Sequence, residues 1–274
     1  MKVRRIYSQI PEARRSLSLL LCFITVVVTA RDIVLIDQQN KAPRSEREAI
    51  LILPGFGDLY HSSKNQVKNF KDKGYDVFIP DYISRKSLDN CVKKLDGFVK
   101  KHKLGDYKKV HVFSYIIGSW TINSWIKQNS AGNIATIVYD RSPLQERVPV
   151  ILVKTNPFLS RLLFGKLIRE LSVTPYPSLN ESAISCGLLI ECKATKILWK
   201  KRKAYRKMEP VSFDRAVLKQ ESRDFFYIFL NHDDLYTHLE SAAPQILYFF
   251  RENRFSPDAD REPCTKDPFE PFRK

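Results

Sequence analysis

Apolar residues fall along this chain in two rhythms: short unbroken runs, and longer stretches with helical spacing. Residues 49–53 are apolar throughout, as a strand buried on both faces requires. Residues 64–73 set Val67 and Phe70 on one helical side, and Gly74 follows as a stop. Residues 75–80 read as the next strand. Leu88, Val92, Leu95 and Phe98 then recur at the spacing of an amphipathic helix over 88–101, with lysines on its outer face. A strand over 110–113, a helix over 119–128, and strands over 134–139 and 225–230 complete the series. Strands alternating with helices imply a mainly parallel sheet flanked by helices, an α/β fold in three layers.

The rhythm breaks over residues 141–224. Prolines stand at 143, 149, 157, 175, 177 and 210, around a mixed helical pattern near 159–171. This stretch reads as a cap-like insertion in a domain spanning 49–255. Residues 37–48 are polar and contain a proline, which marks a linker. Residues 256–274 are rich in proline and charge and read as a loose tail.

Residues 1–36 have a different character. Lys2, Arg4, Arg5, Arg14 and Arg15 precede an uncharged run from 17 to 30. A basic head before such a run is the pattern of a signal peptide, and Val28-Thr29-Ala30 offers small residues for cleavage. The alternative is an uncleaved membrane anchor with a cytoplasmic N-terminus. As a helix the run spans roughly 21 Å against a hydrocarbon core of roughly 30 Å. Extending it through Ile33–Ile36 puts Arg31 and Asp32 near the bilayer, which is costly. Both alternatives place the rest of the protein at a membrane or in an exported compartment. The sequon Asn180-Glu181-Ser182 is usable in a secretory lumen.

Composition adds one unusual number, a net charge of +16. Such a balance favours an anionic surface as partner. The charge concentrates at Lys200, Lys201, Arg202, Lys203, Arg206 and Lys207, six cations in eight residues. With an apolar N-terminal segment in the same chain, an anionic lipid surface is the partner this run fits. No nucleic-acid-binding motif accompanies it. The five cysteines show neither CxxC spacing nor a metal-ligand pattern with histidine, so neither metal nor cofactor is expected, and disulfides stay open.

Four segments carry the candidate chemistry. Residues 50–57 (ILILPGFG) resemble the strand and oxyanion loop of the α/β-hydrolase superfamily, and 74–82 (GYDVFIPDY) its next strand. Residues 108–120 (KKVHVFSYIIGSW) resemble the nucleophile elbow, and 231–234 (NHDD) the turn that carries the acid. The resemblance covers about residues 49–140 and 225–250. It implies a lipase- or esterase-like fold with a catalytic serine, an acid and a histidine, in that chain order.

The elbow departs from the family's Gly-x-Ser-x-Gly. Ser114 and Gly118 take the small positions, and Ile116 takes that of the nucleophile. Ser114 and Ser119 are the nearby hydroxyls, the former two residues early and the latter three late. Asp234 matches the acid, with Asp233 and Asp140 as substitutes. The histidine is expected beyond the acid, and His238 is the last in the chain. His111, beside the elbow, reads as structural. The alternative expectation is an active lipase- or esterase-like serine hydrolase with a displaced triad of Ser114, Asp234 and His238, or His111 in place of His238. The leading expectation is a degenerate triad on an intact scaffold: a pseudoenzyme whose oxyanion-loop amides, Phe56 and Ile117, bind a small apolar or acyl ligand, or a partner, without covalent chemistry.

Overall fold

Alternation of side chains along each strand organises the whole molecule. The computed structural model describes residues 32–270, except 57–59, 142, 180–182, 209–212, 217, 219 and 221. Seven strands form one sheet: β1 (Ile33–Leu35), β2 (Glu48–Leu53), β3 (Tyr75–Ile79), β4 (Lys109–Ser114), β5 (Ile134–Asp140), β6 (Ser185–Glu191) and β7 (Asp224–Ile228). Their spatial order is β1-β3-β2-β4-β5-β6-β7. Only β1 runs antiparallel, pairing Ile33 with Ile79; the other pairs are parallel, with Leu53 opposite Ser114 and Ser114 opposite Tyr139.

The helices are α1 (Tyr60–Phe70), α2 (Leu88–Lys101), α3 (Ile116–Asn129), α4 (Pro143–Glu146), α5 (Val148–Thr155), α6 (Pro157–Phe164), α7 (Leu167–Val173), α8 (Lys196–Lys200), α9 (Arg202–Met208), α10 (His232–Thr237) and α11 (Ala243–Glu252). Leu51 and Leu53 point to one face of the sheet, where Leu95 and Phe98 of α2 and Ile117 and Trp120 of α3 cover them. Ile50 and Ile52 point to the other, under Phe70 of α1, Leu235 of α10 and Ile246 and Phe249 of α11. Both faces of the central strands are thus sealed, which is why they read as continuous apolar runs.

Three expectations are corrected. Ser185–Glu191, inside the stretch read as an insertion, is strand β6, paired with β5 and β7. The cap-like part is confined to helices between β5 and β6, and to the segment holding α8 and α9. Ile33–Leu35 is an edge strand rather than an extension of the apolar run. The tail is anchored: Phe255, Ala259 and Phe269 are buried, and a disulfide joins Cys264 to Cys192 at the end of β6. Residues 1–31 of the expected signal or anchor segment (1–36) and the sequon at 180–182 lie outside the described residues. Among the described residues no helix is long and apolar enough to cross a membrane.

Candidate functional site

The strand order reverses direction between β2 and β4, and open α/β sheets place their ligand crevice at the carboxyl ends of strands at such a point. Residues 54–56 follow β2 there, and Tyr115 follows β4. Ser114 ends β4 fully buried, and its hydroxyl lies 3.1 Å from that of Ser119. Tyr115 is the N-cap of α3, in extended backbone at φ −77° and ψ 173°. Its carbonyl accepts the Ser119 N–H at 2.9 Å. None of residues 114–116 has positive φ, so the strained left-handed turn that projects a nucleophile is absent. The close approach of strand and helix is kept: a Cβ on Gly118 would lie 2.6 Å from the Leu53 carbonyl oxygen.

Aromatic side chains fill the space behind the elbow. The Tyr115 ring stacks on Tyr236, with centroids 4.3 Å apart and planes 11° apart. The Tyr236 hydroxyl accepts the Gly55 N–H at 2.8 Å, and Gln66 Nε2 donates to the Tyr115 hydroxyl at 3.3 Å. Both rings are buried.

His232, the first residue of α10, packs edge-on against both tyrosines. Asn231 fixes this start by accepting the Asp234 N–H at 2.8 Å. His232 Nδ1 lies 2.9 Å from Asp140 Oδ2 and 3.6 Å from Glu191 Oε1. Arg141 Nε lies 3.5 Å from Glu191 Oε2. Asp140 and Glu191 end neighbouring strands and are wholly buried, while His232 keeps 13% of its side chain exposed. Arg141 stands in the left-handed region, at φ 58°, so the strained non-glycine residue of this corner sits beside the acids instead of at the elbow. Burial and the Arg141 charge push the His232 pKa down, but contact with the two carboxylates and the Asp140 charge outweigh them and lift it to about 9. Burial, then the Asp140 charge, push the Glu191 carboxyl up. One oxygen or nitrogen from each of Asp140, Glu191 and His232 lies within 4.8 Å of the others, a spacing able to hold a metal ion. Arg141 already supplies, at that point, positive charge that a metal would bring.

The residues expected from the sequence are distributed differently. His238 is exposed, and its Nδ1 contacts the Thr237 hydroxyl at 3.0 Å and the Asp234 carbonyl at 3.1 Å. Asp234 is half-buried in the first turn of α10. His238 meets Asp234 at its backbone carbonyl and not at its carboxylate, the contacts described for Ser114 reach neither residue, and the carboxylates gathered about a histidine are Asp140 and Glu191. The turn read as bearing the acid bears His232. Phe56 meets the Phe164 ring edge-on at 5.2 Å, and the Ile117 amide lies in the first turn of α3, where helix amides lack an intrahelical partner. His111 is held by Thr136 Oγ1 at 2.8 Å and Glu48 Oε2 at 3.2 Å, in the structural role expected.

Ile116 is one wall of a cavity of about 250 Å3, with Trp120, Leu144, Arg147, Val150 and Leu171 among the others. The basic run falls on α8 and α9. There Arg202 lies over the Trp199 ring at 4.4 Å, Arg206 reaches Asp267 at 3.3 Å, and Tyr205 is buried.

No family model and no curated protein matches the sequence. Solved structures do. Est1E from Butyrivibrio proteoclasticus is 12% identical, with 81% of this chain and 93% of that chain covered at a TM-score of 0.54. MGS-MChE2, an alpha/beta hydrolase enzyme from the metagenome of sediments from the lagoon of Mar Chica, Morocco, is 15% identical, with 81% and 94% covered at 0.52. A structure of the metagenome-derived lipolytic enzymes LipS and LipT gives 9% identity, 83% and 100% coverage and 0.53. At such identities the likeness is one of fold, and it agrees with the sheet order and the placement of the corner: the chain has the α/β-hydrolase fold.

Proposed function

We propose that this protein is a non-catalytic member of its fold class that holds a small apolar or acyl ligand in the cavity beside Ile116. The junction of β4 and α3 carries the reading. It has isoleucine where the family has its serine, and it lacks the left-handed turn that would expose a nucleophile. Ser114, the nearest hydroxyl, is buried against Ser119. His232 supports the same conclusion, because a histidine with a pKa of about 9 is an imidazolium near neutral pH and takes no proton from a nucleophile. The cavity beside Ile116 sets apolar walls, Trp120, Leu144, Val150 and Leu171, beside polar ones, Arg147, Ser172 and Thr174, which suits the tail and the carboxyl end of a small acyl ligand. The Cys192–Cys264 disulfide supports an exported or secretory setting, where such bonds persist.

Fluorophosphonate labelling of the full chain tests this. The expected result is no labelling of the wild type, of Ser114→Ala, or of Ile116→Ser, since a serine at 116 still lacks the projecting turn. Ile116→Trp should fill the cavity and weaken binding of short-chain fatty acids by about tenfold or more, roughly 1.4 kcal/mol. Wild-type labelling that Ser114→Ala abolishes would overturn the proposal.

A second reading, an active esterase-like hydrolase with a displaced nucleophile, draws on one observation. Asp140 and Glu191 precede His232 in the chain and contact it, as acid and base do in this fold. Ester hydrolysis that His232→Gln eliminates would favour it.

A further inference from the structure

Helices α6 and α7 leave three large apolar side chains in water: Phe158 is 78% exposed, Leu162 52% and Val173 75%. Phe158 and Leu162 are four residues apart on α6 and so share a face. Phe158 and Val173 also line a groove of about 980 Å3, together with Val153 and Ile168. Four cations line the same groove, Lys86, Arg161, Lys166 and Arg169, against one acid, Glu170. That carboxylate is engaged, accepting the Leu88 N–H at 2.9 Å. None of the four cations has an ion-pair partner among the described residues. The turn between α6 and α7 is held in place: Gly165 has φ 71°, a Cβ there would lie 2.3 Å from the Arg85 carbonyl oxygen, and the Leu167 N–H donates to that oxygen at 3.3 Å.

We propose that this groove is the surface by which the protein docks on an anionic phospholipid membrane, independently of what occupies the cavity at Ile116. Protruding apolar side chains alone would suit many partners. Unpaired cations around them, in a chain of net charge +16, select a negatively charged one. Apolar residues flanked by cations suit the boundary between headgroups and acyl chains, which offers both chemistries to one face. The basic run on α8 and α9 fits this less well. Two of its arginines are engaged within the protein, and its large exposed apolar neighbour, Ile197, is only 38% exposed.

A local probe in the full chain separates this contact from any made by residues 1–31. Phe158→Trp is titrated with vesicles of phosphatidylserine and phosphatidylcholine (3:7) carrying brominated acyl chains, and its emission is taken as the increment over wild type. The increment should shift to the blue and be quenched, and pure phosphatidylcholine should leave it unchanged. Adding Arg161→Gln and Arg169→Gln should raise the lipid needed for half-maximal quenching about 25-fold, at about fivefold per lost cation. Lys200→Gln with Lys203→Gln should leave quenching in place. Four outcomes overturn the proposal: no quenching at position 158, equal quenching by pure phosphatidylcholine, quenching by brominated fatty-acid monomers alone, or loss of quenching on substituting Lys200 and Lys203 instead of the groove arginines.

Discussion

His232 sits where burial and charge pull its proton in opposite directions. Its pKa in the folded protein, about 9, lies above the ordinary 6.5. A group raised in this way contributes stability that is fully present below pH 6.5 and is lost as pH climbs through 9. The raised Glu191 carboxyl acts in the same sense, favouring the fold while protonated. Stability measured by urea unfolding should therefore fall as pH rises from 4.5, where the Glu191 contribution begins to go, with about 3 kcal/mol at most of the loss coming from His232 between pH 6.5 and 9.5. His232→Gln should flatten that slope; an unchanged slope would remove the imidazolium from the account. The same residue shows where the sequence was hard to read. Asn231-His232-Asp233-Asp234 contains an acid at the family's spacing and a histidine four positions past the end of β7, and both assignments are consistent with the motif. What separates them is the number of preceding strands. With β6 uncounted, the turn after β7 looked like the acid's, and the histidine was sought at His238. Asp140 was visible as an alternative acid because it ends a legible strand, whereas Glu191 ends the strand that was missed.

Elements with a long unbroken rhythm were legible: β2, β3, β4, β5 and α2 appear within a few residues of their expected bounds. β6 was concealed because Gly187 interrupts Cys186 and Leu188-Leu189-Ile190, and prolines and a basic run flank it. That glycine is required, since a Cβ there would lie 2.8 Å from the Phe249 and Phe255 rings. The residue that weakens the strand signal is the one that lets α11 and the tail close over the sheet. β1, three residues long, is too short for alternation to show. At the elbow, element packing makes a sharp demand. Gly118→Ala would press a methyl into Leu53, whose own Cβ lies 2.7 Å from the new atom. It should cost about 1–3 kcal/mol in unfolding free energy. Gly97→Ala, on α2 with nothing within 4 Å of its new Cβ, should instead stabilise by up to about 1 kcal/mol. Equal effects at the two sites would contradict the close strand–helix approach.

The assembled sheet depends on its C-terminal segment more than composition suggested. The disulfide closes a separation of 72 residues, from the end of β6 to the segment after α11. Such a loop corresponds to about 4 kcal/mol of chain entropy removed from the unfolded state. Cys264→Ser should lower stability by a comparable amount, and dithiothreitol should reproduce the loss in the wild type but not in the variant. Cys192 directly follows Glu191, so this covalent tie and the charged corner share one strand end. The arrangement also sets an order of assembly. A chain leaving the ribosome N-terminus first presents Asp140 and Glu191 before it contains His232 or Cys264. Until β7 arrives, β6 is a bare strand edge open to unwanted pairing, with a carboxylate at its tip still lacking its imidazolium. The corner that closes the fold is therefore completed last, and a ribosome-bound chain ending before residue 232 should remain sensitive to protease across β6 when the full-length protein is already resistant.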